Sequence, residues 1–232
     1  QLRSRKGDHP LKDMKVLKFG GSSVGSTSAI ETTIAIIKNE ATKGTISVVL
    51  SAMQGTTDAL IDAGRRAEHG DDGYIEVISQ IGERHLETIN ELFGNGERTE
   101  VADFVETTVR ELENLCEGVR LLKELSPRTL DRILSFGELT STKIVAAKFS
   151  ADGIENTWTD SRQLIRTDSN HGSASVNFAE TNTQIREYFD GNESKIHISP
   201  GFISSDKDGY TTPLGRGGSD YTAAIIAAAI DA

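Results

Sequence analysis

The 232-residue sequence has a single cysteine, Cys116, so no internal disulfide can form. Such a composition suits the reducing cytoplasm, and we expect a cytoplasmic protein. The sequence also lacks any run of about 18 apolar residues, the length that a membrane-spanning helix needs. These two absences argue against a disulfide-stapled secreted domain and against a transmembrane protein.

Positive charge is also scarce. The chain has 25 Lys and Arg against 35 Asp and Glu, giving a formal net charge of -10. No long basic stripe is present, which argues against nucleic acid as a partner. The five histidines are scattered, without a His-Glu-x-x-His pattern or a neighbouring cysteine, so no metal site is predicted. A protein this acidic must place its few cations locally wherever it binds anions.

The hydrophobic pattern predicts an α/β fold. Short apolar runs read as strands, and helical periodicities separate them; the predicted strands lie at 14–19, 46–50, 156–159 and 195–199. This alternation favours a largely parallel sheet between helices. Residues 57–125 show no strand pattern and predict a helical subdomain. Residues 1–13 are polar and are interpreted as a leader or a remnant of cloning.

Further elements complete the prediction. A Ser28–Glu31 capping pattern is expected to start the first helix, and Ser126-Pro127 another. Residues 178–189 are predicted as a helix and 204–210 as the turn of a hairpin. An apolar helix ends the sequence with no strand after it, so we expect a C-terminally truncated domain from a longer protein.

Lys18-Phe19-Gly20-Gly21-Ser22-Ser23 is a candidate phosphate-binding motif. A lysine near the end of a buried strand is costly unless its ammonium reaches an anion or a cleft. Two glycines then allow close backbone approach and outward N–H groups. The lysine precedes the glycines, unlike a P-loop, and no G-x-G-x-x-G pattern follows. A snorkelling lysine before an ordinary glycine turn is the open alternative.

Gly215-Arg216-Gly217-Gly218-Ser219-Asp220 is the second candidate motif. Arginine suits bidentate recognition of a carboxylate or phosphate. Ser219 and Asp220 are in position to cap the helix that follows, and Arg216 could still be a solvated turn residue. Glycines packed around one arginine favour the functional interpretation.

Two weaker stretches lie between these motifs. Ser135-Phe136-Gly137-Glu138 contains a carboxylate that could pair with a substrate ammonium or face solvent on a helix. Ser51 to Thr57 follows the second predicted strand, where open parallel sheets bind ligands. Alone, each stretch is equally consistent with a structural role.

Together and in order, the four stretches resemble the aspartate kinase signature set of the amino-acid kinase family, including bifunctional aspartokinase/homoserine dehydrogenases. The resemblance covers 14–232 and implies an eight-stranded amino-acid kinase fold. It also implies ATP-dependent phosphorylation of the L-aspartate side-chain carboxylate, with ATP and Mg²⁺ as cofactors.

The resemblance implies roles by motif position. Lys18 resembles the catalytic lysine and Asp220 the aspartate that orients it. The implied phosphate-binding residues are Lys18, Gly20, Gly21 and Ser22. The implied substrate-binding residues are Ser51, Thr57, Glu138, Phe202, Arg216, Gly217 and Ser219.

The family pattern continues beyond this sequence with a nucleotide- and Mg²⁺-binding loop and regulatory domains. The resemblance therefore implies a homo-oligomer inhibited by lysine or threonine through regions absent here. Two alternatives stay open: another kinase of the same fold, acting on glutamate, acetylglutamate, carbamate or a nucleotide monophosphate, and a non-catalytic binding or assembly fragment.

Overall fold

The computed structural model describes residues 14–94 and 100–232; the predicted leader lies outside this part. The strands are β1 Lys15–Phe19, β2 Ile46–Leu50, β3 Thr157–Trp158, β4 Ile196–Pro200, β5 Ile203–Ser205 and β6 Thr211–Pro213. The helices are α1 Thr27–Ala41, α2 Thr56–Glu68, α3 Tyr74–Phe93, α4 Glu100–Leu122, α5 Pro127–Ala151, α6 Phe178–Asp190 and α7 Gly218–Ile230.

Four strands form one parallel sheet in the order β1-β2-β4-β3, which confirms the predicted α/β class. Phe19 pairs with Leu50, and Leu50 pairs with Pro200. Three adjacent strands therefore end together, and the turns that follow them meet at one edge of the sheet. All five residues of β2 are buried, as expected for a strand covered on both faces.

Helices cover both faces of the sheet. On one face, α1 and the second half of α5 pack on the strands, with Ile34, Val48 and Phe149 in a shared core. On the other face, α6 and α7 pack through Ile185 and Ile226. Of the eight strands that the resemblance implies, the described residues contribute these four, with β5 and β6 as a separate antiparallel hairpin.

Helices α2, α3 and α4 pack against the first half of α5 around a third core cluster. The described residues between α2 and the end of α4 contain no strand, in line with the helical pattern of the sequence. Cys116 is fully buried in this cluster, beside Leu112 and Ile133. Whether α2–α4 form a separate subdomain stays a prediction. Within the described ranges, no helix is both long and apolar enough to cross a bilayer.

One predicted helix cap is wrong and one is confirmed. Helix α1 begins at Thr27 because Ser26 is its N-cap, with extended backbone and its Oγ accepting from the N–H of Ala29. Ser28 already lies inside the helix. At α5 the predicted Ser126 cap is confirmed, since its Oγ accepts from Thr129 N–H.

Neither Ser219 nor Asp220 caps helix α7, so the capping alternative for these two residues is wrong. Its N-cap is Gly217, whose φ of 72° is a left-handed conformation that glycine adopts without strain. Ser219 and Asp220 therefore lie within the first helical turn. Their side chains are free to face the cleft described below.

Candidate active site

A cavity of about 380 Å³ opens where β1, β2 and β4 end. The turn after β1, the turn after β2, the middle of α5 and the start of α7 enclose it. Ten of its lining residues belong to the sequence-predicted set: Lys18, Gly21, Ser51, Thr57, Glu138, Phe202, Arg216, Gly217, Ser219 and Asp220. The structure thus brings residues separated by about two hundred positions into one cleft.

Lys18 lies on β1 at the rim of this cavity. Its side chain is 25% exposed, and its Nζ is 2.9 Å from Oδ1 of Asp220 on α7. The carboxylate of Asp220 orients the ammonium of Lys18. Without this partner the ammonium would be poorly solvated at the end of the strand. Lys18 and Arg216 line the same cavity, so the two candidate motifs that carry them lie at one site.

Gly21 lies where the turn after β1 touches the turn after β2. A Cβ at this position would be 2.9 Å from the carbonyl oxygen of Ala52, too close for a side chain. Gly20 and Ser22, predicted as phosphate-binding, are not among the cavity-lining residues, and Ser22 is exposed. Contact with a phosphate stays a prediction for all three residues, and Gly21 is the one of the three that lines the cavity.

Glu138 is the most unusual group in the cleft. Its side chain projects from α5 and is 4% exposed, and Oε2 has no hydrogen-bonding partner. Burial raises the pKa of this carboxyl from 4.5 to about 8, although a backbone hydrogen bond from Ala52 opposes the shift. A buried carboxylate without a cation is costly. The cavity wall therefore offers a site for a positively charged ligand group.

The segment carrying Arg216 is held close to Phe202. A Cβ at Gly218 would lie 2.6 Å from Cδ2 of Phe202, and Phe202 itself has a φ of 66°. Arg216 is exposed, and no carboxylate of the described residues forms an ion pair with it. Its guanidinium is thus free to bind an anion in the cleft.

Ser51 and Thr57 line the opposite wall, on the turn after β2 and the first turn of α2. Ser141 Oγ on α5 donates to the carbonyl of Ser51 at 2.7 Å, which fixes this turn to the helix that carries Glu138. The sequence reasoning missed Gln54 and Asp58, which also line the cavity. Gln54 lies in the 51–57 stretch already singled out, and Asp58 follows that stretch directly on α2, so the position of the stretch after β2 was the available signal.

The family model described as the amino acid kinase family matches residues 13–232. The chain belongs to the amino acid kinase family. Among curated relatives, this amino acid kinase is similar to aspartokinase 1, chloroplastic, of Arabidopsis thaliana, with 35% identity over 222 residues covering 93% of this chain and 38% of the relative. It is also similar to lysine-sensitive aspartokinase 3 of Escherichia coli (strain K12), with 31% identity over 228 residues covering 96% and 48%.

Comparison with solved structures gives the same family. The crystal structure of E. coli aspartokinase III in complex with aspartate and ADP is 31% identical to this amino acid kinase, with a TM-score of 0.85. The match covers 95% of this chain and 47% of the other. The resemblance to aspartokinases drawn from the four motifs is therefore confirmed. The chain spans about half the length of that structure, or less in the case of the plant relatives.

Proposed function

We propose that this amino acid kinase forms the acceptor-binding part of an aspartate kinase. That enzyme would transfer the γ-phosphate of ATP to the side-chain carboxylate of L-aspartate. The supporting observation is the charge arrangement of one cleft: Lys18, Arg216 and a buried carboxylate, Glu138, line the same cavity. Glu138 and Arg216 would complement the ammonium and the α-carboxylate of aspartate, which leaves Lys18 for the transferring phosphoryl group.

The acceptor carboxylate is already ionised at neutral pH and needs no general base. The difficulty is that an anion must attack a polyanion, so catalysis depends on positioning and on cations at the transferring phosphoryl group. Lys18 supplies the cation in this proposal. Asp220 holds it by the 2.9 Å ion pair and so acts as a positioning residue. Gly21 would add a backbone N–H.

Specificity would come from the two ends of the amino acid. Glu138 would receive the α-ammonium and Arg216 the α-carboxylate, with Ser51, Thr57 and Ser219 as hydroxyl contacts. A site that pairs both charges disfavours a plain dicarboxylate, because the buried carboxyl of Glu138 would be left without its ammonium partner. Phe202 would form an apolar wall beside the methylene.

ATP would approach the cleft as its Mg²⁺ complex. The residues at the strand ends fit a phosphoryl group, since Lys18 and the crowded glycine turn face the cavity. They do not fit a protein-held metal: the described residues contain no group of three His, Cys, Asp or Glu side chains able to bind one. In this proposal Mg²⁺ would arrive bound to the nucleotide, and the described residues would contact the phosphate end of ATP.

By analogy with the lysine-bound T-state structure of E. coli aspartokinase III, we further infer feedback inhibition by an end-product amino acid, lysine or threonine. We also propose that the enzyme is homo-oligomeric and cytoplasmic. These properties belong to the protein at its natural length.

An acceptor panel tests the proposed reaction. ADP release is measured for the natural-length protein with L-aspartate, L-glutamate, N-acetylglutamate, carbamate and uridine monophosphate. We expect ADP release to be fastest with aspartate and to require both its ammonium and its α-carboxylate, so succinate should be inactive. Faster turnover of another acceptor would assign a different kinase of this family, and aspartate binding without any ADP release would favour a binding module.

A further inference from the structure

Two turns border the cleft at the ends of adjacent parallel strands. One follows β1 and runs from Gly20 to Gly25; the other follows β2 and contains Gln54. The N–H of Gln54 donates to the carbonyl of Gly21 at 3.1 Å. In the proposed reaction, the first turn faces the phosphate and the second faces aspartate. Their relative placement therefore sets the distance between the two reactants.

Arg84 of α3 joins these turns from behind the cleft. Its Nη1 donates to the carbonyl of Gln54 at 2.6 Å, and its Nη2 donates to the carbonyl of Gly25 at 2.9 Å. The two acceptors are 29 residues apart in sequence, and one planar guanidinium spans both. The rigid fork of arginine suits such a bridge, whereas a lysine ammonium acts as a point charge.

Arg84 also lacks the partner that arginines on a helix surface usually have. No carboxylate of the described residues lies within ion-pair distance of it. Its guanidinium interacts with the two backbone carbonyls instead. Helix α3 is anchored by buried residues such as Ile78 and Ile89, which fixes the base of the side chain. A partly buried cation used in this way holds two backbone segments in register.

We propose that Arg84 is a positioning residue that sets the phosphate-facing turn relative to the aspartate-facing turn. The inference rests on the proposed function and deepens it. Arg84 does not itself line the cavity, so it would act through the two turns that it joins. Each turn keeps its own ligand contacts when Arg84 is lost, so substrate binding should change little. The alignment of the reactants should suffer, because small displacements are costly in a transfer reaction.

The test compares Arg84→Met, Arg84→Lys and a matched control in the natural-length protein. The control is Arg110→Met on α4, whose guanidinium donates to Thr107 Oγ1 at 3.0 Å on its own helix. We expect Arg84→Met to lower kcat by about 10- to 100-fold, with the KM for aspartate changed by less than about 3-fold. Arg84→Lys should lose less, and Arg110→Met should match the wild type.

Further readouts separate positioning from simple loss of folded protein. Calorimetric stoichiometry for aspartate should stay at the wild-type value in both Arg84 variants, and low concentrations of guanidinium chloride should partly restore kcat in Arg84→Met. Amide hydrogen exchange should speed up at 21–25 and at Gln54. An unchanged kcat, or a stoichiometry that falls in parallel with kcat in Arg84→Lys, would overturn the proposal.

Failure of the proposed function gives a different result. If the wild type releases no ADP with any acceptor, the kinase assignment fails, while the exchange measurement still reports on the bridge. Unchanged exchange at both turns in folded Arg84→Lys and Arg84→Met would then overturn the positioning role independently.

Discussion

Binding of aspartate should release a proton, because Glu138 is mainly protonated in the free protein. Its pKa of about 8 leaves about nine in ten molecules protonated at pH 7. An ammonium binds the ionised form, so the carboxyl must lose its proton on binding. That ionisation costs about 1.4 kcal/mol at pH 7, equivalent to tenfold in the dissociation constant. The dissociation constant should fall about tenfold between pH 6 and 7 and level off above pH 8.

Calorimetry measures this proton directly. Titrations of aspartate at pH 7 in buffers of different ionisation enthalpy should yield about 0.9 proton released per site, from the pKa of about 8. Glu138→Gln should bring the release close to zero and weaken binding by about 2–5 kcal/mol, since the ammonium then lacks its anion. Asp58→Asn is the matched control, since Asp58 also lines the cavity but is exposed. No proton release in the wild type, or a dissociation constant independent of pH from 6 to 8, would refute the reasoning.

The same raised pKa makes the stability of the ligand-free protein depend on pH. The contribution of Glu138 to stability is complete below 4.5, its value in the unfolded chain, and is lost as pH rises through about 8. The largest loss is of the order of 5 kcal/mol. Glu138→Gln should therefore gain stability relative to the wild type at pH 9 but not at pH 4, which paired denaturant titrations can measure.

Three further expectations follow from the geometry. Lys18→Ala should lower kcat by about 10²–10³-fold (~3–4 kcal/mol) with little change in the KM for aspartate; steady-state kinetics with an unchanged kcat would contradict its role. Gly201→Ala should destabilise the fold, since the new Cβ would lie 2.5 Å from the Cβ of Ser219, whereas Gly118→Ala in open space on α4 should stabilise by about 0.5–1 kcal/mol; equal melting temperatures would argue against the crowding. Cys116 should resist thiol reagents in the folded protein, because burial raises the pKa of its thiol to about 12; rapid labelling under native conditions would show an accessible thiol.

Much of the fold could be predicted because it depends on local pattern. The run 46–50 is a strand with those same bounds, and the Ser126-Pro127 signal starts α5. The cap error at α1 arises where tertiary context decides between neighbouring serines. Ser26 and Ser28 carry the same hydroxyl, and only the extended backbone at Ser26 makes it the cap.

The site was predictable in its residues but not in its electrostatics. Lys18 and Arg216 stand beside glycines, a pattern visible in sequence. Glu138 is buried because α5 is covered on nearly every side from 133 to 142. The hydrophobic periodicity of the sequence does not predict that coverage. Arg84 carried no signal at all, since its acceptors are backbone carbonyls that any sequence possesses.

The hairpin of β5 and β6 has a practical consequence for measuring ligand binding in the cavity. Phe202 precedes it and Arg216 follows it, and the N–H of Leu214 donates to the carbonyl of Phe202 at 2.7 Å where the two arms meet. Its tip, 207–209, is exposed. A fluorophore attached at Asp208 would be exposed to solvent, on a hairpin whose two ends adjoin residues that line the cavity. Occupancy of the cavity could then be followed optically, in real time, without touching a residue that contacts the ligand.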